Sequence, residues 1–173
     1  MKLDPLQQFI LALGSSIAAI KRPENVEMVA CAVETLNPGL FLKTRDKMLS
    51  DDEGRKILRE QPTIDNCFLD KVRKSNLKKN TFGYAYQNFI ESNGFYGDRT
   101  PVKFVEDANL RYVIKRYREI HDFLHVILNL KPDYSGELTL KMFEFCQFNS
   151  LAGLFAASLS SPFVLKKSKN NQY

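Results

Sequence analysis

Residues 107–130 read DANLRYVIKRYREIHDFLHVILNL and carry the longest run of helical periodicity in the chain. Apolar side chains recur along this run at spacings of three and four residues, as on one face of an α-helix. Asp107 is a residue type that caps helix N-termini. The pattern predicts one long helix from Asp107 to about Leu130. Residues 131–133, Lys-Pro-Asp, predict a turn, and a further helix is expected over residues 135–150.

The rest of the chain has the same helical spacing, and sustained alternation of apolar and polar residues is missing. Four further helices are predicted, one after Pro5, one over residues 23–36, one from Asp51 and one over residues 80–92. Asn37-Pro38-Gly39 predicts a break, and residues 102–105 predict a short extended piece. The predicted fold class is therefore an all-α, single-domain helical bundle over residues 1–165, followed by a polar tail at residues 166–173.

Composition narrows the class of protein and of partner. The chain has 173 residues, of which 44% are hydrophobic and 26% are charged, which excludes collagen-like, coiled-coil and wholly disordered chains. The formal net charge of +5 favours an anionic partner. A basic run from Lys71 to Lys79 could rest on anionic lipid or form a solvated loop. Because this run contains no aromatic residue that could stack on bases, we expect no nucleic-acid partner.

Two apolar stretches bear on membranes. Residues 9–20 are about half as long as a bilayer span and predict a buried amphipathic helix. Residues 145–165 contain no charged side chain, but their polar residues and Pro162 favour a tightly packed helix over a span. Within that stretch, residues 151–157 could line a dry channel for an apolar ligand or belong to the core. The N-terminus has no recognisable import presequence, so we expect such a signal to be absent or to lie outside this sequence.

The residues that carry chemistry lie in the long helix. The chain has only two histidines, His121 and His125, and their spacing of four puts both imidazole rings on one helix face, where they can grip one metal ion. Leu124 and Leu128 share that face, so the rings point along the buried stripe. Each buried unsatisfied group would cost about 1–3 kcal/mol, a cost that a shared metal removes. The alternative is two independent core or boundary histidines.

Two carboxylates are candidates for further ligands. Asp122 could be a third ligand, a general base, or one half of a surface ion pair with Arg118. Glu137 follows His125 after eleven intervening residues and returns to the histidines if the next helix folds back. Glu137 could instead complement a helix N-terminus, and Glu144 shares its face. We favour Glu137 over Glu144 because the intervening turn is short.

The donor set indicates which metals fit. Two imidazoles with one or two carboxylates best match Zn²⁺, with Fe²⁺ or Mn²⁺ as alternatives. Three protein ligands would leave one coordination position open, which is typical of a catalytic or ligand-binding site. The sequence thus predicts a metal site between two adjacent helices.

His121-Asp122-Phe123-Leu124-His125, followed after eleven residues by Glu137, resembles the zinc motif of the coenzyme Q (ubiquinone) biosynthesis protein family called Coq-four. The similarity covers about residues 5–165. The zinc motif and the further blocks together are specific for this family. Further blocks similar to the family are Phe82-Gly83-Tyr84-Ala85-Tyr86, residues 102–107, Arg111-Tyr112-Val113, residues 116–120, Gly136-Glu137-Leu138 and residues 141–145.

The resemblance implies what this protein does and where. It implies metal ligation by His121, Asp122, His125 and Glu137, with catalysis through the metal. The implied activity is oxidative decarboxylation of a prenylated hydroxybenzoate-type precursor, in which a carboxyl group at ring carbon one is replaced by a hydroxyl. The implied partners are a prenylated quinone precursor or prenyl lipid, other coenzyme Q biosynthesis proteins, a membrane surface and further copies of the chain. The implied place is the matrix side of the mitochondrial inner membrane, peripherally bound, or the cytoplasm of a bacterium.

Two classes of function therefore remain open. The first is a metal-dependent enzyme of ubiquinone biosynthesis that also organises the biosynthetic complex. The second is a non-catalytic scaffold that binds prenyl-quinone lipid and partner enzymes, in which the metal only braces two helices.

Overall fold

Eight α-helices make up most of the part of the chain that the computed structural model describes, which is residues 2–22, 25–95 and 100–154. The helices are α1 (Pro5–Lys21), α2 (Val26–Leu36), α3 (Pro38–Ser50), α4 (Asp52–Glu60), α5 (Asn66–Lys74), α6 (Phe82–Asn93), α7 (Ala108–Ile127) and α8 (Tyr134–Phe148). No β-strand occurs in these ranges. The all-α, single-domain fold is confirmed. The predicted bounds at residues 165 and 166 lie outside the described residues and stay predictions.

Aspartates begin the helices that position the site. The Asp107 carboxylate accepts the backbone N–H of Leu110 (2.7 Å), and the Asp133 carboxylate accepts that of Gly136 (2.9 Å). Each bond satisfies one of the N–H groups that a helix start leaves without a partner. The predicted start of α7 is confirmed. Its helical geometry ends at Ile127, a few residues before the predicted end, because the backbone at Asn129 turns to a φ of 52°.

Two helices were not predicted. Asn37-Pro38-Gly39 does end α2, but Pro38 also begins α3, since proline is well suited to the first turn of a helix. Helix α5 is capped by the Asp65 side chain and buries none of its residues, although Phe68, Leu69 and Val72 follow helical spacing. Its last residues belong to the basic run, whose lysines are exposed.

The predicted extended piece at residues 102–105 does not pair as a strand. Instead, the backbone N–H groups of Lys103 and Phe104 donate to the Glu34 carboxylate, at 3.2 and 2.6 Å. Glu34 is buried and lies 3.5 Å from the Arg118 guanidinium, which also donates to the carbonyl oxygens of Thr100 and Ala30. This buried ion pair ties α2, α7 and the segment before α7 together.

Helix α7 contributes side chains to both apolar clusters of the described residues. The larger cluster joins Val33, Phe41 and Leu58 to Leu110 and Ile114 of α7. The smaller one comprises the buried residues Ile64, Tyr86 and Ile90, with Phe123 of α7 packed against them. Because α7 packs on both sides, its polar residues are held at fixed positions inside the fold.

Helix α1 forms where it was expected, but the prediction that its apolar side chains are buried was wrong. Leu6 and Ile10 are 68% and 59% exposed, and Phe9, Leu13 and Ile17 are also exposed. The small residues Ala12, Ser15 and Ser16 face inward instead, and both serine hydroxyls donate to backbone carbonyls one turn back. Small side chains allow close approach to α2, which turns the large ones outward. Among the described helices, none combines the length and apolar character that crossing a bilayer requires.

Candidate metal centre

The two histidines of α7 point to one side of the helix, as predicted. Their ring centroids are 4.9 Å apart and the ring planes are perpendicular. His125 is buried, and the side chain of His121 keeps a small exposed fraction. Phe89 of α6 stacks on the His125 ring at a centroid distance of 5.5 Å, which fixes the plane of that ring.

The turn after α7 brings Glu137 back to this face. The Leu130 N–H donates to the His125 carbonyl (2.9 Å), which closes the end of α7. Gly136, directly before Glu137, has its Cα against the Lys131 carbonyl oxygen, so that a methyl group there would overlap it. A residue without a Cβ therefore permits the close approach that places Glu137 in the first turn of α8.

Glu137 faces the Nε2 atoms of both histidines. Its Oε2 lies 3.2 Å from Nε2 of His121, and its Oε1 lies 3.0 Å from Nε2 of His125. One ligand atom from each of these residues lies within 4.8 Å of the others. Ligands bound to a tetrahedral Zn²⁺ at 2.0–2.1 Å stand about 3.3 Å apart. The spacing of these three groups therefore suits a small divalent cation.

Counting protons gives a second test of fit. The Nδ1 of His121 lies 2.8 Å from Oε1 of Glu144, and the Nδ1 of His125 lies 3.3 Å from the Leu130 carbonyl oxygen. All four ring nitrogens thus face oxygen acceptors, but a neutral imidazole has only one N–H. Either both rings carry a second proton, or a cation takes the place of the Nε2 protons beside Glu137. The residues present fit a bound metal.

The charges around the rings also favour a cation. Burial alone would raise the pKa of Glu137, but the hydrogen bonds from His121 and His125 lower it well below its usual range. Burial likewise acts to raise the pKa of Glu144, but the Lys141 ammonium and the His121 ring lower it to about 2. Both carboxylates are therefore ionised at neutral pH, and Glu137 presents its charge to the two Nε2 atoms.

The four predicted ligands do not all meet. His121, His125 and Glu137 form one group of metal-ligating atoms, and among the residues described this group does not include Asp122. Asp122 is 7% exposed and has polar partners of its own. Ligation by Asp122 stays a prediction. Glu144, the rival to Glu137, also contacts His121, but at the outer nitrogen.

Sequence reasoning missed two residues around Glu144. The Tyr117 hydroxyl donates to Glu144 Oε2 (2.8 Å), and the Lys141 ammonium donates to the same oxygen (2.7 Å). Burial raises the pKa of Tyr117 far above its usual range, which keeps its hydroxyl protonated. The spacing of Lys141 and Glu144, three residues apart on one helix, was the signal that could have revealed their ion pair.

Comparisons with known proteins agree with the resemblance found in the sequence. A family model described as coenzyme Q (ubiquinone) biosynthesis protein Coq4 matches residues 1–173. Relatives named ubiquinone biosynthesis protein COQ4 or its homolog, mitochondrial, include one from Danio rerio at 43% identity over 82% of this chain. Others come from Aedes aegypti, at 36% over 100%, and Coccidioides immitis, at 34% over 99%. The matches cover 53%, 63% and 60% of these three relatives, so the chain spans between half and two thirds of their length.

Proposed function

This chain belongs to the Coq4 family of coenzyme Q biosynthesis proteins, and on that premise we propose that it is a metal-dependent enzyme of ubiquinone biosynthesis. The observation that carries the proposal is the convergence of His121 Nε2, His125 Nε2 and the Glu137 carboxylate from two adjacent helices. Three protein ligands leave a coordination position for a substrate, which is typical of catalytic sites.

The reaction proposed is the oxidative decarboxylation of a prenylated hydroxybenzoate-type precursor at ring carbon one. The bond from the ring to the carboxyl carbon breaks, carbon dioxide leaves, and a ring C–O bond forms. With dioxygen as oxidant and a two-electron reductant, one oxygen atom enters the new hydroxyl and the other leaves as water. A divalent metal held by His121, His125 and Glu137, with Asp122 as a predicted fourth ligand, would supply a Lewis acid beside the substrate carboxylate.

The chain's own residues prepare this site. Phe89 stacks on His125, and Phe82 and Tyr86 of the same helix, α6, pack against Phe123 of α7. Phe89 therefore covers one face of the His125 ring and holds its plane, while the side chain of Glu137 keeps an exposed fraction of 42% through which a substrate can reach the site. Zn²⁺ has no redox chemistry, whereas Fe²⁺ has. The identity of the metal that supports turnover therefore shows whether the metal itself can take part in electron transfer to the oxidant.

A prenyl tail needs an apolar surface, and one adjoins α1. A groove of about 610 Å³ lies between α1, α2, α3 and Leu151, with a mostly apolar lining that also includes Gln8, Thr35, Asn37, Lys43 and Asn149. Of the stripe predicted to line a channel, Ala152 and Gly153 are buried and Leu151 and Leu154 are exposed, while residues 155–157 lie outside the described residues. This groove supports binding of the prenylated precursor or a prenyl lipid.

The exposed stripe of α1 supports a peripheral membrane contact. No charged residue lies between Pro5 and Ile20, while the exposed Lys2, Lys21 and Arg22 flank the helix. An apolar face with a basic C-terminal end fits an anionic bilayer surface, where each basic side chain contributes about 1 kcal/mol, although Asp4 offsets the charge of Lys2 at the other end. We place the protein on the matrix side of the mitochondrial inner membrane, together with other coenzyme Q biosynthesis proteins and further copies of itself.

The α1 surface also favours the second candidate function, a scaffold that binds lipid and partner enzymes with a structural metal. The two functions differ in turnover. Protein purified without a histidine tag is loaded separately with Zn²⁺, Fe²⁺ and Mn²⁺ and given the carboxylated precursor, dioxygen and a reductant. The enzyme hypothesis expects carbon dioxide release with at least one metal, lost in a folded His121→Ala variant. Metal binding without turnover would leave only the scaffold, and turnover that His121→Ala leaves unchanged would contradict catalysis at this centre.

A further inference from the structure

The two histidines of the centre are held at their outer nitrogens in different ways. The Nδ1 of His125 faces a backbone carbonyl, that of Leu130, whereas the Nδ1 of His121 faces the Glu144 carboxylate. Resting on the metal site proposed above, we propose that Glu144 is a positioning residue that keeps His121 protonated at Nδ1. With the proton on Nδ1, the lone pair of Nε2 is available to a metal that His125 and Glu137 would also hold.

Glu144 is held so firmly that it can act in this way. It is 1% exposed, and its Oε2 already accepts the Tyr117 hydroxyl at 2.8 Å and the Lys141 ammonium at 2.7 Å. Tyr117 is in turn 3.2 Å from the hydroxyl of the buried Ser150. With one oxygen engaged by two donors, the other oxygen has a fixed direction, which is toward Nδ1 of His121.

The tautomer matters because a competing donor is close by. The Lys141 ammonium lies 3.3 Å from Nδ1 of His121. An ammonium is a donor only, so if it bonded to Nδ1 the ring would carry its proton on Nε2 instead. A ring protonated on Nε2 cannot ligate a metal beside Glu137. Glu144 therefore has two effects: it accepts the Nδ1 proton, and it draws the Lys141 ammonium away from that nitrogen.

This arrangement predicts how single and double substitutions of Glu144 and Lys141 should change the affinity for Zn²⁺. Removing Glu144 alone leaves Lys141 free to donate to Nδ1, so Glu144→Ala should weaken Zn²⁺ binding by the 10–100-fold that loss of an outer partner typically costs. Removing both residues abolishes the competing donor, so Glu144→Ala/Lys141→Ala should recover part of that loss. Glu144→Gln, which preserves side-chain volume, should lower affinity in the same direction by a smaller factor and serves if the alanine variants fold poorly.

A buried glutamate elsewhere provides the matched control. Glu119 is also fully buried, but its oxygens accept the Ile64 N–H and pair with Arg116, away from the imidazole rings. Glu119→Gln should therefore change stability without changing the dissociation constant of Zn²⁺, measured by competition with a chelator on the full chain.

Nitrogen-15 spectra of the histidine rings test the tautomer without any metal. In the neutral form of the His121 ring, the share of the proton on Nδ1 should be larger in the wild type than in Glu144→Ala, where Glu137 beside Nε2 and Lys141 beside Nδ1 both favour Nε2, while His125 is unchanged. An unchanged His121 tautomer together with unchanged Zn²⁺ affinity in folded Glu144 variants would overturn the proposal. Failure of the wild type to bind Zn²⁺, Fe²⁺ or Mn²⁺ would instead overturn the proposed metal centre, and the metal-free spectra would still decide the role of Glu144.

Discussion

Helices α7 and α1 differ in which side chains they bury. Helix α7 buries ionisable residues, whereas α1 exposes large apolar residues, and both patterns are uncommon in globular proteins. Helix α7 buries the ionisable residues Glu119, Asp122 and His125. Helix α1 exposes Leu6, Phe9 and Ile10 and buries two serines. Charged residues are seldom fully buried without partners, and large apolar residues are seldom aligned on a solvent face without a reason.

The buried polar residues of α7 and the exposed apolar residues of α1 also differ in the partners that they contact. The buried groups of α7 have partners within the protein, such as Ile64 N–H for Glu119 and Glu137 for His125. The apolar stripe of α1 is exposed, and two of its members, Phe9 and Leu13, also line the groove between α1, α2 and α3. The polar residues buried in α7 therefore find their partners within the protein, whereas the large apolar side chains of α1 stay exposed. Four experiments probe this contrast.

The largest effect is expected where a buried charge loses its partner. Glu34→Ala removes the carboxylate beside Arg118 of α7 and the acceptor of two backbone N–H groups. Breaking a buried ion pair in this way costs about 3–5 kcal/mol of unfolding free energy. Denaturant unfolding measures the loss. Glu53→Ala, at an exposed position of α4, is the control and should change stability by no more than about 0.5 kcal/mol. Equal effects at both positions would contradict the role given to the buried pair.

Metal removal should give the next largest effect. At free Zn²⁺ of about 100 times its dissociation constant, binding to the folded state alone stabilises it by about 2.7 kcal/mol. Chelation should remove this gain, which appears as a lower midpoint of thermal unfolding. In Glu137→Ala the gain at the same Zn²⁺ concentration should be smaller or absent, whereas Glu60→Ala, exposed on α4, should keep it. A gain retained in full by Glu137→Ala would place the cation elsewhere.

One glycine from each region gives a third comparison. Gly136→Ala adds a methyl group against the Lys131 carbonyl and should cost about 1–3 kcal/mol while displacing Glu137. Gly14, inside α1, has open space around its Cα, so Gly14→Ala should raise stability by about 0.5–1 kcal/mol. Denaturant unfolding of both variants tests the signs. Destabilisation by Gly14→Ala would show that something covers that side of α1.

The smallest change in stability is expected on the α1 surface. The double variant Phe9→Gln/Ile10→Gln alters two exposed side chains. Each substitution should contribute no more than about 0.5 kcal/mol to the change in stability. The same variant should bind anionic vesicles less well in a flotation assay, because it loses apolar area that enters the bilayer interface. The matched control is Leu49→Gln with Ile57→Gln, also exposed but outside α1. Vesicle binding that is unaffected by the α1 variant, with a change in oligomeric state instead, would assign the stripe to a second copy of the chain.

Local signals explain why much of this molecule could be predicted. Asp107 as a cap, helical spacing along α7 and the break at residues 131–133 were enough to place both histidines and to return Glu137 to them. Each of these signals acts over a few residues, within the reach of sequence patterns. The start of α3 was missed because Pro38 both ends one helix and begins the next.

Other features depend on contacts between distant residues. The segment at 102–105 is held by Glu34, about 70 residues away, and local sequence patterns do not predict a contact over that distance. The helix over residues 9–20 was predicted, but the burial of its apolar side chains was predicted wrongly, because helical periodicity does not say whether an apolar face turns toward the protein or away from it. The position of Glu144 at the outer nitrogen of His121 depends on how α8 is rotated, which spacing along one helix does not determine.

The tight turn between α7 and α8 has a consequence for the order of folding. His121 and Glu137 are only 16 residues apart in sequence, whereas Glu34 and Phe104 are separated by 70. The entropy lost on closing a chain segment grows with its length, so the short segment closes more readily. A cation captured by this hairpin would therefore join the two helices early, and the slower long-range pairing of the N-terminal half would then take place on a template already formed.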